Sequence, residues 1–517
     1  MSESASAGIR PGRRRWIGAV IVALWLLSVG LLLRREFGGT AFRNGPDLTA
    51  LEGNVAYAVL VPGTAGAEQR VGAIGMVREP EARGGFQGTT VRIEAAMALE
   101  LLGKPTELDV DGAMWRPDAP EEAARQAELE FRVDSQGHEF QLVGELAGGR
   151  LIGEVRSAGE TLPLDLPVGG DVLVESGLGA SLRFPRMEVG ETMRFSSFDP
   201  LTLSRGRAKV TCVGEETLDL AGQKVEAKRL QVEASGIETV AWIDESGTVL
   251  RAETPLGLIL ERLPAGVPIE GSTRIETADF LGQTAIHPTG LKPSRGAHRM
   301  VLRLSGVELE PPFDNAQQPI GGPTGDGIVI EISRDAVANA KTASRPAQVH
   351  LSADAFVQSD HAEIRERARR IVGEETDPWR RAQMLHDWVF ERIEKEPVVS
   401  IPSALEVLRE RRGDCNEHTV LYAALARSLG IPTRIAIGLV WSDELDGFYY
   451  HAWPEIFLEG DGGRWVRTDP TLGQAIADAT HLKLLEGGIE SWPRLLAYLG
   501  KLQVEVLETD STQDTTP

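Results

Sequence analysis

Cysteine is scarce in this chain, with only Cys212 and Cys415 among 517 residues. Two cysteines are too few for the disulfide framework of a small secreted domain. Positive charge is also in deficit, because 76 Asp and Glu residues oppose 54 Lys and Arg residues, for a formal charge of −22. A surface of that sign repels a phosphate backbone, so the composition argues against a nucleic acid as a partner.

Aromatic residues are few as well, at 6%, whereas the chain has 56 glycines. Many glycines with few aromatics favour a portion rich in strands and turns. The 42% hydrophobic and 25% charged residues are typical of globular domains. At this length we expect two to four domains.

Charge is missing from one stretch near the N-terminus, WIGAVIVALWLLSVGLLL, residues 16–33. Eighteen helical residues span about 27 Å, close to the hydrocarbon thickness of a bilayer. Three arginines precede the stretch at 13–15, and the sequence after it is less basic. We therefore expect residues 1–36 to be a cytoplasmic stub and a single-pass membrane anchor, with the remainder periplasmic or on the cell surface. A cleaved signal peptide is the alternative, although no small-residue cleavage site follows promptly.

Short alternating runs and tight turns follow over residues 45–268. AELEFRVDSQGHEFQLVGELAGGRLIGEVRSAG alternates apolar and polar residues and is broken at Gly137 and at Gly148-Gly149. This pattern predicts a large antiparallel β-rich domain. Residues 272–345 contain two more strand-like runs around a Pro- and Gly-rich loop, and we interpret them as a small β segment or linker.

Helical periodicity replaces the alternation after Pro346. In DPWRRAQMLHDWVFERIEK, Asp377 suits the N-cap and Pro378 fits the first helical position. Further helices and three strand-like runs follow, TRIAIGLVW, YYHAWPEIFLEG and RWVRTDPT. The expected fold class is α+β: an N-terminal transmembrane helix, the antiparallel β-rich region and a C-terminal α+β domain at 347–505. The polar tail at 506–517 is expected to be disordered.

The run RRGDCNEHTVLYAALARSLGIP places Cys415 at the first position of a predicted helix. Asp414 suits the N-cap, and Glu417 completes a capping box. The positive end of the helix dipole favours a thiolate there, and the amides at the helix start suit an oxyanion. Cys212 lies in a strand-like run and is interpreted as a small buried hydrophobe. A Cys212–Cys415 disulfide would join two separate domains and is the weaker alternative.

A thiolate nucleophile needs a base, and the base needs an orienting partner. His451 precedes the glycine-rich turn at 460–463, and Asp469 follows it. Counting outward from the turn sets His451 opposite residues 470–472, so its imidazole is expected to meet the Asp469 carboxylate. Asp469 would fix the tautomer, while His451 would take the thiol proton and return it to the leaving group.

GDCNEHTVLYAALARSLGIPTRIAIGLV, YHAWPEIFL and WVRTDPT, in this order, resemble the bacterial transglutaminase-like superfamily, over residues 377–474. The resemblance implies a papain-like fold with Cys415 as nucleophile, His451 as base and Asp469 as orienting acid. That superfamily includes transglutaminases, cysteine proteases and peptide amidases. All three residues are present, so nothing in the sequence marks a degraded site.

His418, three residues after Cys415, offers two alternatives. It is a second candidate base, and it could join Cys415, His451 and Asp469 in a zinc site. Structural zinc sites draw ligands from short paired spacings, and no second such pair exists here. We therefore expect no metal and no cofactor, and interpret His418 as a packing or supporting residue.

Two other polar features lie near the predicted site. His386, in MLHDWVF, is interpreted as an ordinary helix position. The acidic stretch SDELD, at 442–446, is interpreted as a solvated loop rather than a cation site.

Two function classes follow from these predictions. The first is a cysteine-dependent acyl-transfer enzyme of the cell envelope, which forms a thioester from an amide of a protein or peptide substrate. Release to water gives protease or amidase activity, and release to an amine gives cross-linking. The second class is a non-catalytic envelope binding or assembly module that retains the fold.

Overall fold

The computed structural model describes residues 55–510 apart from several gaps, the longest of which are 175–183, 264–284 and 335–345. Within this part of the chain, sheet predominates and helices are few. None of the described helices is both long and apolar enough to cross a membrane. The predicted anchor at 16–33 lies outside the described residues.

A large sheet forms the first part of the described chain. Its strands are β1 (Val55–Pro62), β2 (Glu68–Arg83), β3 (Phe86–Leu101), β4 (Lys104–Pro117), β5 (Gln126–Ser135), β6 (His138–Ala147), β7 (Arg150–Ser157), β8 (Glu160–Pro167), β9 (Leu173–Val174), β10 (Thr192–Asp199), β11 (Ser204–Leu220), β12 (Gln223–Ala234), β13 (Ile237–Ile243), β14 (Val249–Glu253) and β15 (Ile259–Arg262). Their order is β8-β7-β6-β5-β4-β3-β2-β1-β15-β14-β13-β12-β11-β10-β9, and neighbours are antiparallel except β9 and β10.

This sheet curls on itself. Neighbouring strands lie about 4.8 Å apart, so the edges of a flat sheet of fifteen strands would be nearly 70 Å apart. The two edge strands, β8 and β9, are separated by residues 168–172 alone. Five residues span at most about 20 Å, so the two edges must approach each other.

The alternation predicted from the sequence is present in β5. Leu129, Phe131 and Val133 are buried, whereas Glu130 and Arg132 between them are exposed. Successive side chains of a strand point to opposite faces, so one face of β5 packs into the core and the other meets solvent.

The rest of the described chain contains eleven further strands and four α-helices. They are β16 (Thr289–Gly290), β17 (Arg299–Ser305), β18 (Gln317–Pro319), β19 (Ile328–Ser333), α1 (Ala362–Val372), α2 (Pro378–Arg392), β20 (Glu394–Lys395), α3 (Ala404–Glu410), β21 (Arg412–Gly413), α4 (Cys415–Ser428), β22 (Thr433–Ser442), β23 (Gly447–Leu458), β24 (Arg464–Arg467), β25 (Leu482–Glu486) and β26 (Gln503–Thr509).

The small five-stranded sheet, in the order β16-β26-β17-β19-β18, joins two segments that are distant in sequence. Its strand β26 pairs antiparallel with β17, and Val504 and Val506 are buried. The predicted start of a disordered tail at residue 506 is therefore wrong, because strand pairing continues to Thr509. The pairing also places residues on either side of the predicted 345/347 boundary in one sheet.

The C-terminal part consists of the four-stranded sheet β24-β23-β22-β25 with α4 packed against β22 and β23 and flanked by the other three helices. Every residue of β23 is buried, and so is nearly all of α4. A helix that is buried all round is a core element rather than a surface one. The sequence predicted three of these strands, and β25 was missed.

The residues predicted to begin two of the helices are found at the helix starts. Asp377 caps α2 by accepting a hydrogen bond from the Arg380 amide, and Pro378 is the first helical residue. Helix α4 begins at Cys415 with a complete capping box. Strand β24 ends at Arg467, so Asp469 lies just beyond a strand rather than within one.

Candidate active site

The start of α4 is built by a capping box around Cys415. The Asp414 side chain accepts from the Asn416 amide at 2.7 Å, and the Glu417 carboxylate accepts from the Asp414 amide at 2.9 Å. A Cβ added at Gly413 would lie 2.2 Å from the Glu417 Cβ, so only glycine allows this close approach. The sequence GDC thus places the cysteine at the first turn of a well-capped helix.

The thiol of Cys415 is fully buried against β23. The backbone N–H of Ala452 donates to its sulfur. Burial, with the nearby Asp414 carboxyl, raises the pKa of the Cys415 thiol well above its ordinary value, and the Ala452 amide offsets this only in part. The prediction of a thiol made acidic by the helix start is therefore wrong: the resting sulfur is a neutral thiol.

Ala452 connects the helix to the strand at two points. Besides its N–H at the sulfur, its carbonyl accepts a hydrogen bond from Thr419 Oγ1 at 3.1 Å. Thr419 lies four residues after Cys415, on the same face of α4. The two contacts fix α4 against the residue that directly follows His451.

His451 and Asp469 meet as predicted. His451 Nε2 donates to Asp469 Oδ2 at 2.8 Å, and both side chains are fully buried. The β23–β24 pairing joins Glu455 to Arg467, and the same register places residue 471 opposite His451, within the range counted from the turn. With Nε2 donating to the carboxylate, Nδ1 is the ring atom that carries the lone pair of neutral His451.

Asp469 is held by its own turn. Its Oδ1 accepts from the Thr471 and Leu472 amides at 2.8 and 2.9 Å. Its backbone exchanges two hydrogen bonds with Gln474. The carboxylate therefore has little freedom to rotate away from the imidazole.

Sequence reasoning missed a second histidine on the same carboxylate. His481 Nε2 lies 2.9 Å from Asp469 Oδ2, and His481 Nδ1 lies 3.2 Å from Asp478 Oδ1. Asp478 and His481 both lie on the segment that leads from the edge strand β24 to the opposite edge strand β25. The signal that could have found them is the spacing of Asp478 and His481, three residues apart, immediately before a short apolar strand.

Asp469, His481 and His451 differ in how their surroundings shift their protonation. Burial disfavours ionisation of Asp469, but His451 and His481 outweigh it and hold the Asp469 pKa well below its ordinary value. Burial opposes charge on His481, yet its hydrogen bonds to Asp469 and Asp478 raise its pKa to about 9. Burial also lowers the pKa of His451, and Asp469 compensates only in part. At neutral pH, His481 is therefore charged and His451 is neutral.

The indole ring of Trp453 shields the hydrogen bonds that His451 and His481 form with Asp469. Trp453 stands edge-on to His481 with ring centroids 5.1 Å apart and lies nearly parallel to His451 at 6.0 Å. It is fully buried. Excluding water strengthens each interaction between the imidazoles and the carboxylate.

The other candidates have structural partners. His418 Nδ1 lies 2.7 Å from the Asp414 carbonyl oxygen on its own helix, and burial lowers its pKa to about 4. His386 is less ordinary than expected, because it is buried with Nε2 3.2 Å from the Asp469 carbonyl oxygen. Both Cys212 and Cys415 are free and buried, so the alternative of a disulfide between them is wrong.

The acidic loop after β22 is paired with the protein's own groups. Asp443 accepts from Trp441 Nε1 at 2.7 Å, and Asp446 forms an exposed ion pair with Lys292 at 2.6 Å. These pairings agree better with a loop than with a cation site.

A metal ion is the alternative occupant of the histidine cluster. Among the described residues, His451, Asp469 and His481 bring three potential donor atoms within 4.8 Å of one another. Zinc ligands in a tetrahedral site lie about 3.3 Å apart. Both Nε2 atoms instead lie at hydrogen-bond distance from one carboxylate oxygen, and His481 is charged, so we interpret the cluster as hydrogen-bonded.

The sequence surrounding this geometry matches a known family. Residues 365–470 match the sequence model of the transglutaminase-like superfamily. This segment is similar to that superfamily. The match covers about a fifth of the chain and includes Cys415, His451 and Asp469, whereas Asp478 and His481 lie beyond it.

One relative is similar to a slightly shorter segment of the chain than the superfamily model matches. An uncharacterised protein of Haemophilus influenzae is 28% identical over 97 residues, or 18% of this chain. The chain spans only about a quarter of that relative's length, 26%.

Two solved structures are also similar to parts of the chain. A candidate cysteine protease of Cytophaga hutchinsonii has a TM-score of 0.28 at 15% identity, covering 42% of this chain and 92% of its own. A candidate protease of Parabacteroides distasonis has a TM-score of 0.17 at 10% identity, covering 53% of this chain and 63% of its own. With TM-scores this low, the match of the transglutaminase-like segment is the more informative comparison.

Proposed function

We propose that this chain is a cysteine-dependent acyl-transfer enzyme that acts on amide bonds of a protein or peptide substrate. One observation carries the proposal. The residue whose amide meets the Cys415 sulfur, Ala452, directly follows His451, and His451 is bound to Asp469 at 2.8 Å. A nucleophile, a base and an orienting acid thus occupy three connected elements within the transglutaminase-like segment.

The resting state supports proton transfer from a neutral thiol to a neutral imidazole. As the Cys415 sulfur attacks the substrate carbonyl carbon, His451 Nδ1 takes the thiol proton. Asp469 stabilises the imidazolium that forms and holds the ring. The Cys415 backbone amide, at the first position of α4, is the donor that this architecture offers to the oxyanion.

Collapse of the tetrahedral intermediate completes acylation of Cys415, the first half of the reaction. The carbon–nitrogen bond breaks, the departing nitrogen takes the proton from His451, and the acyl group remains on Cys415 as a thioester. Water or an amine then attacks the thioester and gives a proton to His451. The carbon–sulfur bond breaks, and the sulfur recovers that proton.

The test is a substrate screen of the full chain, comparing glutamine–amine transfer with peptide and amide hydrolysis. Cys415→Ala should abolish turnover, and His451→Ala should reduce the rate by on the order of 10²–10⁴. Cys212→Ser is the matched control, since it removes the other buried thiol, which lies in the large sheet. Turnover that survives Cys415→Ala would refute the proposal.

The burial of Cys415 favours a second candidate function, a binding or assembly module that retains the fold without using the thiol. In that case Cys415→Ala would leave partner binding unchanged, and no substrate class would be turned over by the native chain. Activity lost on Cys415→Ala excludes this candidate.

We also propose that the enzyme acts in the cell envelope, anchored through residues 16–33. The support is the uncharged apolar length of that stretch and the arginines before it. Protease added to spheroplasts with an intact inner membrane should digest the residues after 36. Protection of the whole chain would refute this topology.

A further inference from the structure

One carboxylate oxygen serves two imidazoles. Asp469 Oδ2 accepts from His451 Nε2 at 2.8 Å and from His481 Nε2 at 2.9 Å. All three side chains are fully buried, and the two ring centroids are 5.8 Å apart. An acid that only oriented His451 would need a single imidazole, so the second one requires its own explanation.

His481 is fixed from its other side by Asp478. Its Nδ1 lies 3.2 Å from Asp478 Oδ1, and the same carboxylate oxygen accepts from the Thr480 amide at 2.9 Å. Asp478 Oδ2 accepts from the Gly296 amide at 2.8 Å, on the segment before β17. His481 is therefore clamped between two carboxylates rather than packed as a neutral ring.

The charged groups that act on His451 come from three elements. They are Asp469 after β24, His481 before β25 and the more distant guanidinium of Arg295 before β17. On α4, the sulfur of Cys415 meets the amide of the residue after His451, Ala452. Asp469 raises the proton affinity of His451, whereas His481 and Arg295 lower it. His481 is the only one of these cations that also shares the orienting carboxylate.

We propose that His481 is a positioning residue that shares the Asp469 carboxylate with His451 and keeps the His451 ring in its neutral, proton-accepting form. The inference deepens the proposed function and rests on it for its catalytic meaning. Its geometric basis, two imidazoles on one carboxylate oxygen, does not depend on that function.

His481 lowers the proton affinity of His451. A charged His481 offsets the negative charge of Asp469, so His451 binds a proton less readily than it would beside Asp469 alone. Without His481, its positive charge would no longer offset the negative charge of Asp469 at His451. His451 would then be protonated over more of the pH range and would be a poorer base near neutrality.

The first test measures His451 directly in the full chain by NMR titration of ¹³C-labelled histidines, assigned with His451→Ala. In His481→Gln the amide can still donate to Asp469, but the charge is lost. The His451 titration midpoint should rise by about two pH units, as expected for loss of a unit charge 5.8 Å away at an effective dielectric of about 20. His350→Gln, which replaces a half-buried histidine beside Trp465, should leave the midpoint unchanged.

The second test is the pH profile of kcat/KM for the substrate identified by the screen. The acid limb should move to higher pH in His481→Gln and stay in place in His350→Gln. A purely structural role would lower kcat/KM at every pH without moving that limb. An unmoved His451 midpoint in a folded His481→Gln protein overturns the inference even if the native enzyme turns over. No turnover by the native chain, with a moved midpoint, refutes the proposed function alone.

Discussion

The thiol of Cys415 lies where two electrostatic effects oppose each other. The start of a helix favours a negative charge by about 0.3–1 kcal/mol, which is less than one pH unit. Full burial raises a thiol pKa by up to several units. Burial is the larger effect, and the raised pKa of Cys415 follows from it.

Thiol alkylation tests this balance. With Cys212→Ser as the background, Cys415 should react slowly at neutral pH, and its rate should rise only above the ordinary cysteine pKa of about 8.5. The sign follows from the raised pKa, because less thiolate is present at any given pH below it. The same titration in urea supplies the unperturbed reference. A rate that already levels off below pH 7 would show an activated thiolate instead.

Helix α4 and strand β23 together position the sulfur of Cys415 relative to His451. The capping box fixes where the helix begins, and Ala452 fixes how the helix meets the strand. Both contacts are within one helical turn of Cys415. The alignment of sulfur and imidazole therefore depends on a short backbone segment, not on flexible side chains.

Thr419→Val removes the hydroxyl that bonds the Ala452 carbonyl and keeps the side-chain shape. Leaving that buried carbonyl unsatisfied should cost about 1–3 kcal/mol of unfolding free energy. We expect kcat to fall as well, because the Ala452 amide shifts relative to the sulfur. Thr419→Ser keeps the hydroxyl and is the matched control. Equal kcat for both variants would contradict the proposed role of this contact.

Local signals made this arrangement of α4 and β23 predictable from sequence. Asp414 and Glu417 are a capping box readable within four residues, and the glycine-rich sequence at 460–463 allowed the His451 register to be counted. The burial of Cys415 was not predictable in the same way. It depends on how α4 packs between the sheet and three other helices, and no local pattern encodes that packing.

Residues 468–481 cross from one edge of the four-stranded sheet to the other and connect that sheet to the rest of the molecule. This crossing carries Asp469 near its start and His481 at its end. Sequence reasoning found Asp469, because that residue follows a predicted strand. It missed His481, because the meeting of the two depends on β25 pairing with β22 rather than with β24.

Both ends of the crossing are held by one carboxylate, that of Asp314, just before strand β18 of the small sheet. Asp314 accepts from Arg467 at 3.0 Å and from Lys483 at 2.6 Å. Lys483 is fully buried and also binds Glu455 at 3.0 Å. The small sheet is thereby coupled to the geometry of the candidate site.

Asp314→Ala should therefore act on both stability and turnover. Removing one partner from a buried ion pair costs about 3–5 kcal/mol, since the other charges stay buried. Urea denaturation measures this cost, and kcat should fall because the crossing loosens at both ends. Lys292→Ala, at the exposed pair with Asp446, is the control and should change little. Unchanged stability in Asp314→Ala would refute the coupling.

Acid-quenched mass spectrometry of the full chain, during turnover of a substrate identified by the screen, shows whether Cys415 carries the acyl group. We expect an acyl adduct on the peptide that contains Cys415. The adduct should be lost in Cys415→Ala and strongly reduced in His451→Ala. Turnover with no adduct on Cys415, at quench times shorter than one catalytic cycle, would show that Cys415 is not the nucleophile.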